Sequence, residues 1–415
     1  MSRFVRALTV VGLVWCASSR FADAQLKSDD PLPTHKQLAR LGLERAWWAQ
    51  AILNPLRDKI RNIAVDEDLV YVQSTSGVTT AFDAETGRQI WATQLGRFDP
   101  PSYPAVSNED TVLLVVGATM YAVNKKSGQV IWTLVLPGQP STGPAIDDLR
   151  VYFGTLDGSL YAYSLVKIRK LFEQRRLPEG SLEAQLWKYK AGKQITSPPI
   201  TTARSVNFAS QDGSLYSVTA LDRKLIYLLE TDKPIVAPLA RLDNTMFMAS
   251  EDNSFYAINL TNGKVHWEFT SGLPIRKAPI AIDHDLYVLP DRGGMYCLDP
   301  VTGEKRWWQS NLTYFNAMLR GSIAAFDVEG NLVTLSRERG EVIGSLPLRR
   351  FTIKTANERT DRIFLSTDSG LVICLRQIGS NFPMYHRFPD RLPLLPDLEA
   401  DDAPETPGSS ESSDN

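Results

Sequence analysis

The sequence has 415 residues, 45 basic against 47 acidic, a formal net charge of −2, and a hydrophobic content of 43%. That balance excludes a typical nucleic-acid binder, which needs a strongly basic face. Three cysteines exclude a disulfide framework, so stability must come from a large apolar core.

Arg3 and Arg6 lead an apolar run over 7–17, and Ala22-Asp23-Ala24 is a small-x-small pattern that a signal peptidase accepts. Residues 1–24 therefore read as an export signal, with the mature chain starting at Gln25 in the periplasm or outside the cell. The run is shorter than the roughly 18 residues a retained membrane span requires. Cys16 follows Trp15, whereas a lipidated cysteine follows a small residue, so a lipid anchor is not expected. No later stretch is apolar enough to span a bilayer.

Residues 25–43 form an N-terminal extension in which Thr34-His35-Lys36-Gln37 has the capping-box pattern, starting a short helix to about Leu41. Glu44 to Gln50, with Trp47 and Trp48, then reads as a strand that lacks neighbours.

The reason emerges further along the chain. Over 285–308 an apolar run, a Gly-bearing turn, a second apolar run ending in Asp299, a Thr-Gly turn and a Trp strand read as three antiparallel strands. A short strand over 277–282 precedes them, giving a four-stranded meander. The unit recurs at about forty residues, the signature of a β-propeller. Ala81-x-Asp83 with Thr86-Gly87 leads to Trp91, Ala122-x-Asn124 with Ser127-Gly128 to Trp132, and Ala257-x-Asn259 with Asn262-Gly263 to Trp267, all at one spacing. Gly303 precedes Trp307 in the same way, and Trp187 ends a looser copy. Second strands fall at 69–72, 112–115, 151–154, 206–209, 246–249, 286–289, 323–326 and 363–365, so the fold is all-β, with eight blades over 44–376. The last copy lacks its Trp strand. The orphan strand at Trp47 should supply it and close the ring, leaving no open sheet edge there.

All eight tryptophans after the leader, Trp48 and Trp308 included, sit at the Trp-strand position and are expected to pack between blades. The Thr-Gly and Ser-Gly pairs are turn chemistry, with Gly in a positive-φ conformation. Cys297 and Cys374 occupy the position of Ala81 and Ala122, which predicts two small buried side chains.

Ala-x-Asp-x-x-Thr-Gly-x-x-x-Trp resembles the repeat of the pyrroloquinoline quinone (PQQ) enzymes, over nearly all of 44–376. Two branches share it: large quinoprotein alcohol dehydrogenases, and smaller eight-bladed propellers without enzymatic activity that serve outer-membrane β-barrel assembly (BamB type). The resemblance to the second branch implies a non-catalytic scaffold for a protein partner at a membrane-associated assembly, with no cofactor. Quinoproteins use a pair of adjacent cysteines, absent here, and a metal site built on long insertions, whereas most copies here keep the bare period. A quinoprotein or its degenerate descendant, and a carbohydrate-binding surface propeller, are the alternatives.

No motif supplies other chemistry. His35, His266, His284 and His386 are scattered without metal-ligand spacing. Asp283-His284-Asp285 falls at a hairpin, where polar residues are the default. Asn259 and Asn311 match glycosylation acceptors by chance.

One departure breaks the repeat. Between Ala162 and Trp187 the third blade carries about fifteen extra residues, an insertion over 164–184. Leu165, Ile168 and Phe172 fall on one helical face with Arg169, Lys170, Arg175 and Arg176 around them. Two readings remain: a helix packed on its own blade, or a partner-binding element in which the apolar trio anchors the contact. After a C-terminal extension over 377–396, residues 397–415 hold seven acids and no base, an expected disordered tail. The chain is expected to be a monomer.

Overall fold

The computed structural model describes residues 32–97 and 100–391, with backbone alone for 178–180. The expected export signal and acidic tail lie outside these residues. Eight four-stranded antiparallel sheets make an eight-bladed β-propeller. Seven are contiguous in sequence: 60–94, 106–135, 145–190, 200–230, 240–270, 280–309 and 312–347. The eighth joins 353–377 to the N-terminal strand Leu43–Gln50, which pairs with Leu371–Gln377 in a register that sets Trp47 opposite Cys374. That strand closes the ring. The sixth blade starts at Ile280, not at Lys277, because Pro279 has no N–H to offer a ladder.

Neighbouring blades touch through their first strands, which surround the axis. Second strands are covered on both sides, as in Leu69–Ser74 and Thr111–Val116, where every residue is buried. Outer strands alternate between a buried and a solvated side. Two hairpin types share one face of the ring, those joining first to second strands and those joining third to fourth. We call it the turn face.

The tryptophan and the glycine of the repeat form one joint. In five of these joints the indole Nε1 donates to a carbonyl in the turn of the next blade: Trp47 to Ala84 at 2.9 Å, Trp91 to Lys125 at 2.8 Å, Trp187 to Ala220 at 3.0 Å, Trp267 to Pro300 at 3.2 Å and Trp307 to Arg337 at 2.9 Å. The ring then lies flush on the turn glycine. A Cβ added at Gly87 would stand 2.5 Å from the Trp47 ring, and the same contact recurs for Gly128 on Trp91, Gly263 on Tyr227, Gly303 on Trp267 and Gly340 on Trp307. The glycine is thus required twice, for positive φ and for ring contact. Gly303 and Gly272 have φ of +76 and +74, yet nothing lies within 4 Å of a Cβ at Gly272. Gly272→Ala should therefore cost only the left-handed strain, about 1–2 kcal/mol, and Gly303→Ala distinctly more. Denaturant midpoints of the two variants check this; equal losses would remove the ring contact from the account.

Trp48 and Trp308 do not pack between blades. Successive strand residues point to opposite faces, so one member of each Trp-Trp pair must turn outward. Both are largely exposed, and Trp308 lies beside Tyr296 and donates to the Gly293 carbonyl at 2.8 Å. Cys297 and Cys374 are buried free thiols, and burial pushes both thiol pKa values up.

Two blades fill the joint differently. In the seventh, Gly344 stands where others carry Trp, and the end of helix α1 (His35–Ala39) covers it, with Arg40 O at 3.1 Å from a Cβ placed there. Thr34 caps α1 with the expected capping box, and Leu38 and Leu41 are buried beneath. The third blade departs more.

Candidate functional site

In blade three the chain leaves strand Ser159–Ser164 directly into helix α2 (Leu165–Glu173), followed by α3 (Leu177–Ala184). Ser164 caps α2 through the Lys167 N–H. Leu165 N–H bonds the Leu149 carbonyl, as Ala84 N–H bonds Asp68 in blade one. From that shared starting point Ile168 falls where Gly87 falls. It is fully buried in one cluster with Trp132, Leu171, Leu177 and Ala184. The insertion therefore replaces the glycine joint between blades two and three with a small helical core.

The expected partner-binding trio is not a surface anchor as a set. Ile168 faces inward completely, because Trp132 presents an apolar slot that no turn fills, and Leu165 is half-buried on the same cluster. Phe172 remains 40% exposed, and Val166, outside the trio, is 64% exposed. Arg169, Lys170, Arg175 and Arg176 are all exposed. Leu165, Val166, Arg169 and Lys170 border a crevice of ≈ 320 Å³ whose floor includes Trp132 and Ile146. Lys170 and Arg176 border another of ≈ 340 Å³, where Arg176 pairs with Glu183 at 2.9 Å.

The axis holds a larger cavity. Residues 61–65, 352–359, Pro104, Tyr314 and Arg387 enclose ≈ 550 Å³. Its lining is basic: Arg61, Lys354, Arg359 and Arg387 stand against Glu358, and Arg359 also holds Glu67 at 2.8 Å. Lys277 and Arg241 belong to the same field, acting on Lys354 and Arg387 respectively. Carbonyls and a ring face several of these cations. Lys277 Nζ donates to Thr313 O at 2.6 Å, Arg241 donates to the Asp243 and Thr201 carbonyls, and Lys354 Nζ sits 3.9 Å from the Phe326 ring centroid. Burial pulls the Lys354 and Arg387 pKa values down and pushes the Glu358 carboxyl up.

Arg387 reaches the cavity on a C-terminal segment that crosses the turn face. Ile378 N–H bonds Gly42 O at 3.0 Å, Met384 N–H bonds Asp361 at 2.9 Å, His386 N–H bonds Arg359 O at 2.9 Å, and Arg391 reaches Asp68 at 2.5 Å. The sequence offers little sign of this cavity, since its cations come from separate blades and no local motif unites them.

Acid–base pairs also cross blade boundaries on the turn face. Lys125 reaches back to Asp66 and Asp68 at 2.9 and 3.2 Å, and Arg337 holds Asp283 and Asp285 at 2.7 and 2.5 Å. Asp283-His284-Asp285 is thus committed to ion pairing, with His284 itself in solvent. Among the described residues no group of three or more His, Cys, Asp or Glu could hold a metal ion. A calcium-bound quinone needs several carboxylate oxygens, and the cavity offers Glu358 alone beside the already paired Glu67. The residues do not fit that cofactor.

A family model described as outer membrane protein assembly factor BamB matches residues 44–165, 97–183 and 235–377. Curated proteins of that name are similar over part of the chain. The Yersinia pestis protein is 32% identical over 103 residues, 22% of this chain and 26% of its own length. The Burkholderia pseudomallei protein is 29% identical over 154 residues, 37% and 38% respectively. The chain thus spans about a quarter to two fifths of these relatives. A tetrathionate hydrolase of Acidithiobacillus ferrooxidans is 26% identical over 81 residues, 19% of this chain and 16% of its own length. Among solved structures, BamB from Moraxella catarrhalis superposes with a TM-score of 0.62 at 15% identity, covering 81% of this chain and 98% of that one. That likeness concerns the fold.

Proposed function

The chain belongs to the outer membrane protein assembly factor BamB family, and from that premise we propose that it is an exported, non-catalytic scaffold that holds a protein partner during outer-membrane protein assembly. Among the described residues no helix is long and apolar enough to cross a membrane. The observation that carries this reading is the blade-three insertion, which breaks an otherwise regular ring and sets Val166 and Phe172 in solvent among Arg169, Lys170 and Arg175. Loops on a rigid scaffold are where binding concentrates, and exposed apolar residues within a basic rim suit an acidic partner.

Buried and exposed residues of α2 separate binding from folding. Ile168→Ser removes a fully buried side chain and should destabilise by about 2–4 kcal/mol. Val166→Asp with Phe172→Asp should leave the melting temperature nearly unchanged, yet weaken partner binding by about 2 kcal/mol or more. The check is capture from envelope extracts of a β-barrel assembly component, identified by mass spectrometry, on wild-type and variant protein. Undiminished capture by the exposed-face variant would refute the insertion as the binding element.

A further inference from the structure

We propose that the outer rim where blades three and four meet docks onto an anionic phospholipid surface, with a headgroup phosphate received between Lys188, Lys190 and Arg223. The starting point is a turn that breaks the repeat. Arg223 N–H bonds the Thr219 carbonyl as Gly87 N–H bonds Asp83, so this arginine stands where Gly87, Gly128, Gly263, Gly303 and Gly340 stand in their own turns. It holds φ at +57, a left-handed conformation that costs any residue carrying a Cβ. That Cβ also rules out the flush ring contact the glycines make, although Trp187 still donates to Ala220. A side chain held in an unfavourable backbone conformation calls for a use that outweighs the strain. Here it turns back over blade three, where Nη1 donates to the Lys188 carbonyl at 2.6 Å.

The guanidinium completes an open crevice of ≈ 410 Å³ bordered by Lys188, Tyr189, Lys190 and Arg223, three cations and no carboxylate. Lys188 Nζ rests 5.0 Å from the Tyr161 ring centroid. Asp157 pairs with Lys190 at 3.2 Å and acts on Lys188 from farther off, while Asp222, in the turn of Arg223, is taken by Lys224 at 2.9 Å. Among the described residues, Lys188 and Arg223 have no carboxylate within ion-pair distance. An arginine and two lysines converging without an acid between them suit a phosphate. Apolar side chains fringe them. Leu221 and Leu225, two residues to either side of Arg223, are 75% and 50% exposed, and Leu186, Ile226 and Leu228 are exposed as well. The matching strand of blade five exposes His266, Glu268 and Thr270, so the patch is no general property of the rim. At a bilayer interface leucines enter the acyl boundary while cations stay at the phosphates. An acidic protein surface would answer the cations but set its charges against the leucines. The crevice shares no residue with those beside α2, so its test is independent of the partner reading.

The test is flotation of the mature chain, beginning at Gln25, with lipid vesicles. Phosphatidylcholine vesicles carrying about one-third phosphatidylglycerol should bind it about tenfold more tightly than pure phosphatidylcholine. Most of that excess should vanish as salt rises from about 50 to about 500 mM, since screening weakens charge pairing. Arg223→Gly restores the glycine of the repeat, so it should weaken vesicle binding about fivefold while leaving the urea midpoint as high as wild type or higher. Lys188→Gln should weaken binding by a similar factor, and Leu221→Ser with Leu225→Ser by about tenfold. No vesicle binding, equal binding to the two vesicle types, or binding indifferent to Arg223→Gly would each overturn the proposal. Full displacement by inorganic phosphate, with binding indifferent to the leucine changes, would mark a site for free phosphate and overturn the lipid assignment. Loss of partner capture in Arg223→Gly without any vesicle binding would make the rim a protein contact instead.

Discussion

A chain lacking residues 25–50 should be recovered as insoluble material instead of a shortened propeller. Strand Leu43–Gln50 supplies the outer strand of the eighth blade, so its loss bares the edge of Leu371–Gln377 along seven residues. It also removes Trp47, whose ring sits between Phe82 and Phe364 at centroid distances of 6.3 and 6.0 Å and whose N–H is bonded to Ala84. Truncating one large core aromatic costs about 3–5 kcal/mol. That is a large part of the roughly 5–15 kcal/mol by which domains are stable. The buried Leu38 and Leu41, the latter against Gly344, would go as well. Trp47→Ala alone keeps the strand pairing and should stay soluble, at a lower urea midpoint. Soluble yield and urea unfolding of the two proteins check the scheme, and a truncated chain that unfolds as cooperatively and as late as the parent would refute closure by this strand.

The ring was legible because its joint pairs a rare residue, Trp, with a turn glycine at fixed spacing. Trp91 and Gly128, or Trp267 and Gly303, each have a physical reason to be where they are, and the reason repeats in every blade that keeps the pattern. The orphan Trp47 strand followed from the same count. Orientation was less legible. Helical periodicity placed Leu165, Ile168 and Phe172 on one face, but periodicity cannot say whether that face meets the protein or its surroundings. The deciding residue was Trp132, whose slot lacks the turn glycine that meets Trp47, Trp91, Trp267 and Trp307. Trp48 and Trp308 show a similar limit: the repeat spacing places both on the Trp strand, and only the alternation of side chains along that strand turns them outward. The axial cavity was beyond local reading, because Arg61, Lys354 and Arg387 meet only once the ring has closed.

Arg362→Ala should destabilise the closed ring by about 3–5 kcal/mol, the usual loss when one partner of a buried ion pair is removed. Arg362 is fully buried at the seam between blades eight and one. Its guanidinium holds Asp361 at 2.9 Å, Glu85 from the blade-one turn at 2.8 Å, and the Ser380 carbonyl at 3.2 Å. It therefore ties the last blade, the first blade and the C-terminal segment at one point. Without it two carboxyl groups would face each other with no cation between them. Burial already raises the Glu85 pKa above its ordinary 4.5, although Arg362 pulls it down, so losing the arginine should raise it further. A carboxyl whose pKa rises on folding destabilises when ionised, and that penalty disappears as pH falls through the raised value. The deficit of Arg362→Ala relative to wild type should accordingly be largest and flat at pH 7–8, and shrink as pH falls through the raised Glu85 value toward the ordinary 4.5. Glu85→Gln in the Arg362→Ala background should recover part of it at neutral pH, since one of the stranded charges is gone. Urea unfolding at several pH values measures both effects. A deficit of the same size throughout, unmoved by Glu85→Gln, would mean that Arg362 serves the seam by filling space, and that charge compensation has no share in it.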